Sequence, residues 1–182
     1  SRPPSPPPSP PPPTLEQSIA LSPGWNWVSF NVEAKDMSVS TLTSTVSFTN
    51  NDHIKNQFSF TSYYEGYGFY GGLTTLATDT MYAMKLAGSG TVKITGAPVV
   101  LPLKISYSNG WNYVPCPYQS SKPLTTGLPA FNYGMRDMIK SQFAFAEYYG
   151  AAYGWYGTLQ SIAPGSGYKL KSASTGEATF SK

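Results

Sequence analysis

Short runs in which apolar and aromatic residues alternate with polar ones occupy most of the chain, and glycine, proline or asparagine residues separate them. Short alternating runs bounded by turn-forming residues are typical of half-buried β-strands. The pattern therefore predicts a mainly β fold built from many short strands. The runs assigned as strands are 19–21, 25–32, 58–64, 68–76, 81–86 and 91–94, then 105–107, 111–116, 144–149, 153–159, 168–171 and 178–181.

Two kinds of segment have features of short helices. Residues 38–47 place apolar side chains at the spacing of one helix face but are also β-branched, so both assignments stay open. Asn51 or Asp52 is suited to cap a helical turn that ends at Gln57, and Asp137 occupies the matching place later in the chain. We therefore predict one short helical turn in each half of the chain.

Four sequence blocks occur twice, in the same order and with a shift of 85 or 86 residues. The first copies are Gly-Trp-Asn at 24–26, Asp-x-Ile-Lys-x-Gln at 52–57, Gly-Phe-Tyr-Gly-Gly-Leu at 68–73 and Tyr-x-Met-Lys at 82–85; their counterparts begin at 110, 137, 154 and 168. Recurrence of this kind is the signature of a tandem duplication. We predict two tandem copies of a small β-rich unit, at 15–101 and 102–182, after a proline-rich arm at 1–14.

The arm consists almost entirely of proline and serine. Proline fixes φ and lacks an amide hydrogen, so the arm is predicted to be a polyproline II rod that spans about 3.1 Å per residue. A rod of this kind is typical of a stiff spacer. The alternative is that aromatic side chains of the same or a neighbouring chain bind it.

Composition narrows the class of protein. Only 12% of the residues are charged and 15% are aromatic, which is typical of secreted β-rich modules and not of disordered chains. The net charge of +3 is spread along the sequence without a basic run, so nucleic acid is not an expected partner. No apolar run is long enough to span a membrane, so membrane insertion is not expected either.

The candidate chemistry for an enzyme is sparse. Cys116 is the only cysteine and takes the place of Phe30 in the first copy, which favours core packing over a nucleophile. His53 is the only histidine, and Met138 replaces it in the second copy. The sequence therefore lacks the further histidine or cysteine ligands of a metal site and the nucleophile motif of a catalytic triad. We predict a protein that is not an enzyme, with no catalytic residues, metal or cofactor.

Three polar residues recur together in the Asp-x-Ile-Lys-x-Gln block, and two interpretations apply to them. One is a polar ligand site in each unit; the other is a capped turn whose carboxylate accepts backbone N–H groups. The second is favoured, because capping explains the position of the aspartate and the neighbouring isoleucines then anchor the turn in the core. The residues are Asp52, Lys55 and Gln57 and their counterparts Asp137, Lys140 and Gln142.

Aromatic residues cluster before and within the recurring glycine block of each unit. Strand alternation sends about half of them to the core and leaves the rest exposed. Exposed rings of this kind stack on sugars or grip polyproline ridges, and both ligands stay open. The candidates are Tyr64, Tyr67 and Tyr70 with Tyr149, Tyr153 and Tyr156. Trp25 and Trp111 follow turn glycines inside apolar runs, so they are predicted to be core residues.

The Ser-Pro-Pro-Pro-Pro run resembles the hydroxyproline-rich glycoproteins of green-algal cell walls and flagellar surfaces. That resemblance implies hydroxylated and glycosylated prolines that join globular modules. The remainder, with one cysteine, does not resemble the cysteine-rich pherophorin domains of that group. Its unit resembles a repeat found in tandem in bacterial and algal surface proteins, which implies an extracellular, cell-wall or cell-surface location.

The expected function is that of an extracellular structural or adhesive module that assembles through aromatic surfaces and its proline-rich arm. Its expected partners are proline-rich segments of the same or neighbouring chains. The alternative is a carbohydrate-binding module that a proline-rich linker attaches to a wall-active protein, with cell-wall polysaccharide as its ligand.

Overall fold

The computed structural model describes residues 13–182, so most of the predicted arm at 1–14 lies outside the described residues. The strands are β1 (Leu15–Leu21), β2 (Gly24–Ser29), β3 (Val32–Glu33), β4 (His53–Lys55), β5 (Phe60–Tyr64), β6 (Gly68–Gly71), β7 (Met81–Leu86), β8 (Gly90–Pro98), β9 (Leu103–Tyr107), β10 (Gly110–Val114), β11 (Lys122–Pro123), β12 (Met138–Lys140), β13 (Phe145–Tyr148), β14 (Trp155–Gly157), β15 (Ser161–Ile162), β16 (Tyr168–Ser172) and β17 (Gly176–Phe180). A 3₁₀ helix at Val39–Ser44 and one α-helical turn, α1 (Leu124–Gly127), complete the list. The fold is mainly β, as the alternation predicted.

Two antiparallel five-stranded sheets dominate the structure. One has the order β2–β7–β4–β5–β6 and the other has the order β10–β16–β12–β13–β14. The strands of the second sheet begin 85 to 87 residues after the corresponding strands of the first, and they occur in the corresponding order. Three smaller sheets complete the fold: the first contains β1, β8 and β3, the second β9 and β17, and the third β11 and β15.

Strand register gives each large sheet one core face and one outward face. In the first sheet Asn26 lies opposite Met84, and Met84 lies opposite the fully buried Ile54 of β4. The neighbouring pair, Trp25 opposite Lys85, projects to the other face because successive side chains alternate. The second sheet repeats this arrangement in the pairing of β10, β16 and β12.

Each large sheet covers its own hydrophobic core. The first core draws its buried residues from 19–94 and includes Phe30 and Ile54, while the second draws them from 105–180 and includes Ile139 and Phe180. Burial of such side chains is the main favourable contribution to folding, at about 25 cal/mol per Å² of apolar surface buried.

The predicted helical turns at Asp52–Gln57 and at Asp137 are wrong. His53–Lys55 is β4, which pairs with β5 on one side and with β7 on the other. Asn51 has a left-handed φ of 69°, whereas a residue that caps a helix has an extended backbone, so the chain turns there and enters a strand. The helical turns of the structure lie instead at Val39–Ser44, within the ambiguous segment, and at Leu124–Gly127.

The prediction that Trp25 and Trp111 are core residues is also wrong. Their side chains are 40% and 41% exposed. Both lie on the outward faces of their sheets, because Asn26 and Asn112 take the inward positions of the Gly-Trp-Asn blocks. The outward tryptophans contact lysine side chains instead of a core.

Candidate functional site

The two aspartates of the recurring polar motif are structural. Asp52 and Asp137 are buried, and each carboxylate accepts two backbone N–H groups, one from the preceding turn and one from the loop after β7 or β16. The donors are Thr49 and Ala87 for Asp52, and Gly134 and Ala173 for Asp137, at 2.8–2.9 Å. Each aspartate therefore ties two chain segments together and has no oxygen directed to solvent.

The two glutamines of the motif join the halves of the chain. Gln57 Nε2 donates to the carbonyl oxygen of Trp111 at 2.9 Å, and its Oε1 accepts the N–H of Tyr113 at 2.8 Å. Gln142 makes the same pair of contacts in the opposite direction: it donates to the carbonyl of Trp25 and accepts the N–H of Trp27 at 3.1 Å. We call these the reciprocal glutamine contacts.

These contacts cover exposed sheet edges. β2 and β10 are the edge strands of the two large sheets, and each would otherwise present unpaired N–H and C=O groups. Further bonds extend the junction: Ser29 Oγ donates to the carbonyl of Ser166 at 2.6 Å and accepts the N–H of Cys116 at 3.0 Å. The glutamines of the polar motif therefore connect the two halves of the chain, and its aspartates stabilise turns.

The asparagines of the Gly-Trp-Asn blocks have a role that sequence reasoning missed. Asn26 accepts the N–H of Ser22 at 2.9 Å and donates to its carbonyl at 2.8 Å. Asn112 makes the same two bonds with Ser108, both at 2.8 Å. Each side chain closes the tight turn that enters the edge strand. The recurrence of the Gly-Trp-Asn block in both halves of the chain is the sequence signal that points to these residues.

All six candidate tyrosines lie at the surface, in two groups of three that we call the tyrosine clusters. The first cluster is Tyr64, Tyr67 and Tyr70, and the second is Tyr149, Tyr153 and Tyr156; their exposed fractions run from 38% to 79%. In each cluster two rings meet edge to face with centroids 6.1 Å apart, namely Tyr64 with Tyr70 and Tyr149 with Tyr156. The structure thus pairs Tyr64 with Tyr70 in the first half, and in the second half it brings all three predicted tyrosines to one cavity.

The second cluster forms a groove. An open apolar cavity of about 510 Å³ is lined by Met135 and the three tyrosines of that cluster. The guanidinium of Arg136 lies 5.6 Å from the ring of Tyr149 and pairs with Glu147 at 2.8 Å. A cavity lined by tyrosine rings suits a ligand with both apolar surface and hydrogen-bond acceptors, because each ring is apolar and also carries a hydroxyl donor.

Cys116 and His53 are the cysteine and the histidine of the chain, and each is packed among other side chains. Cys116 is fully buried, and burial raises the pKa of its thiol to about 11, so the reactive thiolate is scarce near neutral pH. Burial, with the positive charges of Lys55 and Lys85, lowers the pKa of His53, whose ring stacks on Phe60. Within residues 13–182 no group of three His, Cys, Asp or Glu side chains is placed to hold a metal ion.

The helices at 39–44 and 124–127 are short, and no helix among the described residues has the length and apolar character to cross a membrane. Comparison with protein-family models, with curated proteins and with solved structures finds no significant match to this chain.

Proposed function

We propose that this chain is an extracellular structural or adhesive module that binds proline-rich segments through its two tyrosine clusters. The observation that carries the proposal is the recurrence, in both halves, of an exposed tyrosine pair with the same 6.1 Å ring separation and a third exposed tyrosine in the loop between its two strands. The six tyrosines are exposed and do not belong to either hydrophobic core, so a binding role explains their presence better than core packing does.

The proposal includes a tandem origin for the module, with units at 15–101 and 102–182. Support comes from the matching strand orders, the reciprocal glutamine contacts and the matching bonds of the two asparagines. Duplication gives one chain two similar binding surfaces. Two linked sites raise the apparent affinity for a ligand with repeated motifs, without any new contact.

Proline-rich segments suit such surfaces for physical reasons. A polyproline II rod is already extended, so binding costs it little conformational entropy, and its carbonyl oxygens have no internal partners. Tyrosine rings pack on the proline faces while their hydroxyls donate to those carbonyls. The chain carries a segment of this composition at 1–14, so one molecule offers both the ligand and the sites.

A carbohydrate-binding module is the alternative function. The observation that favours it is the set of exposed rings outside the tyrosine clusters: Trp25 and Trp111 are about half-exposed, while Phe58 and Phe143 are 87% and 91% exposed. Flat exposed rings stack on the apolar faces of sugars. Under this alternative the arm is a spacer only.

Titration of a synthetic Ser-Pro-Pro-Pro-Pro peptide into the protein without residues 1–12, followed by NMR, tests the main proposal. Tyrosine ring resonances of both clusters are expected to move, and Tyr153→Ala should weaken binding in the second cluster. Phe58→Ala is the matched control, because it removes an exposed ring outside both clusters. If no tyrosine resonance moves at millimolar peptide, the proposal fails.

A further inference from the structure

Lysine side chains from the second half lie against aromatic rings from both halves. Lys140 Nζ is 4.6 Å from the centre of the Trp111 ring and 5.9 Å from that of Trp27. Lys169 Nζ is 4.4 Å from the Trp27 ring and 4.9 Å from the Tyr113 ring. The reciprocal glutamine contacts attach to the same two strands, so this group exists only where the halves meet.

The first half contributes a third lysine. Lys55, the counterpart of Lys140, lies 5.1 Å from the ring of Trp25. We call these seven residues the Trp–Lys surface: Trp25, Trp27, Lys55, Trp111, Tyr113, Lys140 and Lys169. Burial, together with the positive charges of Lys55 and Lys140, lowers the pKa of Lys169, so the three ammonium groups repel one another.

Among residues 13–182, no carboxylate forms an ion pair with the lysines of this surface. The ion pairs within residues 13–182 join Lys93 to Glu16, Lys104 to Glu177 and Arg136 to Glu147, and none includes a lysine of the Trp–Lys surface. Strand register also places two further lysines on the same outward faces, Lys85 opposite Trp25 and Lys171 opposite Trp111. On the paired strands of these faces the acidic residue is Glu147, which Arg136 already neutralises.

We infer that the Trp–Lys surface binds an anionic polysaccharide, one whose sugars carry carboxylate or sulfate groups. Half-exposed Trp25 and Trp111 offer flat faces to sugar rings, and the lysines beside them offer partners to the anionic substituents. An acidic sugar has an apolar C–H face next to a negative group, which matches a ring next to an ammonium group. The inference develops the carbohydrate alternative and does not use the tyrosine clusters.

Other extended ligands fit this surface less well. A proline-rich rod has no negative charge, so it leaves the three lysines uncompensated. Nucleic acid is held mainly by many exposed lysines and arginines along a phosphate backbone. Here Lys55, Lys140 and Lys169 are half-buried against aromatic rings. This arrangement favours a ligand whose few negative charges are separated by flat sugar rings.

Affinity electrophoresis of the full chain in gels that contain one polymer each tests the inference. The polymers are polygalacturonate (carboxylated), carrageenan (sulfated), unsubstituted galactan (neutral) and single-stranded oligothymidylate. Retardation by polygalacturonate or carrageenan, without retardation by galactan, is expected, and the two acidic polymers tell the carboxylate source from the sulfate source. Equal retardation by galactan, stronger retardation by oligothymidylate, or no retardation by either acidic polymer overturns it.

Paired variants locate the site. Lys140→Gln with Lys169→Gln should weaken binding of the acidic polymer on the order of tenfold, since charge-assisted bonds are lost. Lys35→Gln with Lys93→Gln removes the same charge away from the surface and should change the affinity little; an equal loss in this control overturns the inference. Tyr153→Ala should leave polymer binding intact, so failure of the proline-rich proposal and failure of this inference are distinguishable. Thermal melts check that each variant is folded.

Discussion

Gln57 and Gln142 form the same pair of hydrogen bonds in opposite directions across the junction between the two halves of the chain. Each glutamine donates to one backbone carbonyl and accepts one backbone N–H on the edge strand of the other half. Because the contact is reciprocal, backbone N–H and C=O groups on both edge strands, β2 and β10, have hydrogen-bond partners at the junction.

Replacement of Gln57 by alanine is expected to lower the free energy of unfolding by about 1–2 kcal/mol, since two partly exposed hydrogen bonds are lost and two backbone groups lose their partners. Gln142→Ala should have a similar effect. Urea unfolding measures both. Gln160→Ala is the control, because that side chain bonds only to the carbonyl of Gly157 within its own half. Equal effects at Gln57 and Gln160 would contradict a role for the junction.

The fold class was predictable because its signal is local. Alternation along short runs predicts strands, and recurrence at 85 or 86 residues predicts two copies of one β-rich unit; the structure has two five-stranded sheets of corresponding strand order. Helical turns were not predictable in the same way. The left-handed φ of Asn51, and the equivalent φ of 71° at Arg136, turn the chain into a strand, and neither residue type demands that conformation.

The role of the candidate site was not predictable, and its exposed residues were predictable only in part. Strand alternation predicts that about half of the clustered aromatic residues are exposed, but it does not say which ones, and Tyr149 lies just after β13. Tyr64 and Tyr149 are both exposed, whereas their binding role stays a prediction. The partners of Gln57 lie more than 50 residues away in sequence, so no local spacing points to them. Trp25 was misassigned for a related reason: its contacts with Lys55 and with Gln142 depend on how strands and halves meet.

Asp52→Asn should destabilise the protein by roughly 2–3 kcal/mol, in the range for hydrogen bonds to a buried charged group. An asparagine can accept one of the two N–H groups, but its own NH₂ then faces the other donor. Asp137→Asn should behave alike, because its carboxylate makes the equivalent bonds. Thermal unfolding gives the measurement, with the exposed Asp79→Asn as control. A ligand-site role without a structural one would instead leave the stability unchanged.

Alkaline pH should destabilise the folded chain through its buried hydroxyl and thiol groups. Burial raises the pKa of Tyr82 from 10.0 to about 12 and that of Cys116 from 9.0 to about 11. The unfolded chain therefore releases these protons at lower pH than the folded chain, so their contribution is complete below about pH 9 and declines as pH rises toward 12. Lysines titrate in the same range, so denaturant midpoints are compared between the wild type and Tyr82→Phe. The variant should lose less stability between pH 9 and 12; parallel curves would refute the assignment.

Gly157→Ala is expected to be among the most damaging single-methyl changes in this chain. Gly157 has a φ of 157° in β14, and a Cβ there would overlap the backbone oxygen of Phe145 on the neighbouring strand. Neither backbone can withdraw without opening the pairing of β13 with β14, which also positions Tyr149 and Tyr156. We therefore expect a large fall in the melting temperature and dispersal of the second tyrosine cluster in NMR spectra. Gly154→Ala is the matched control: its φ of 73° is also strained, but its Cβ meets open space, so it should cost about 1 kcal/mol. Comparable stability losses in the two variants would mean that strand contact at Gly157 is not what requires the glycine.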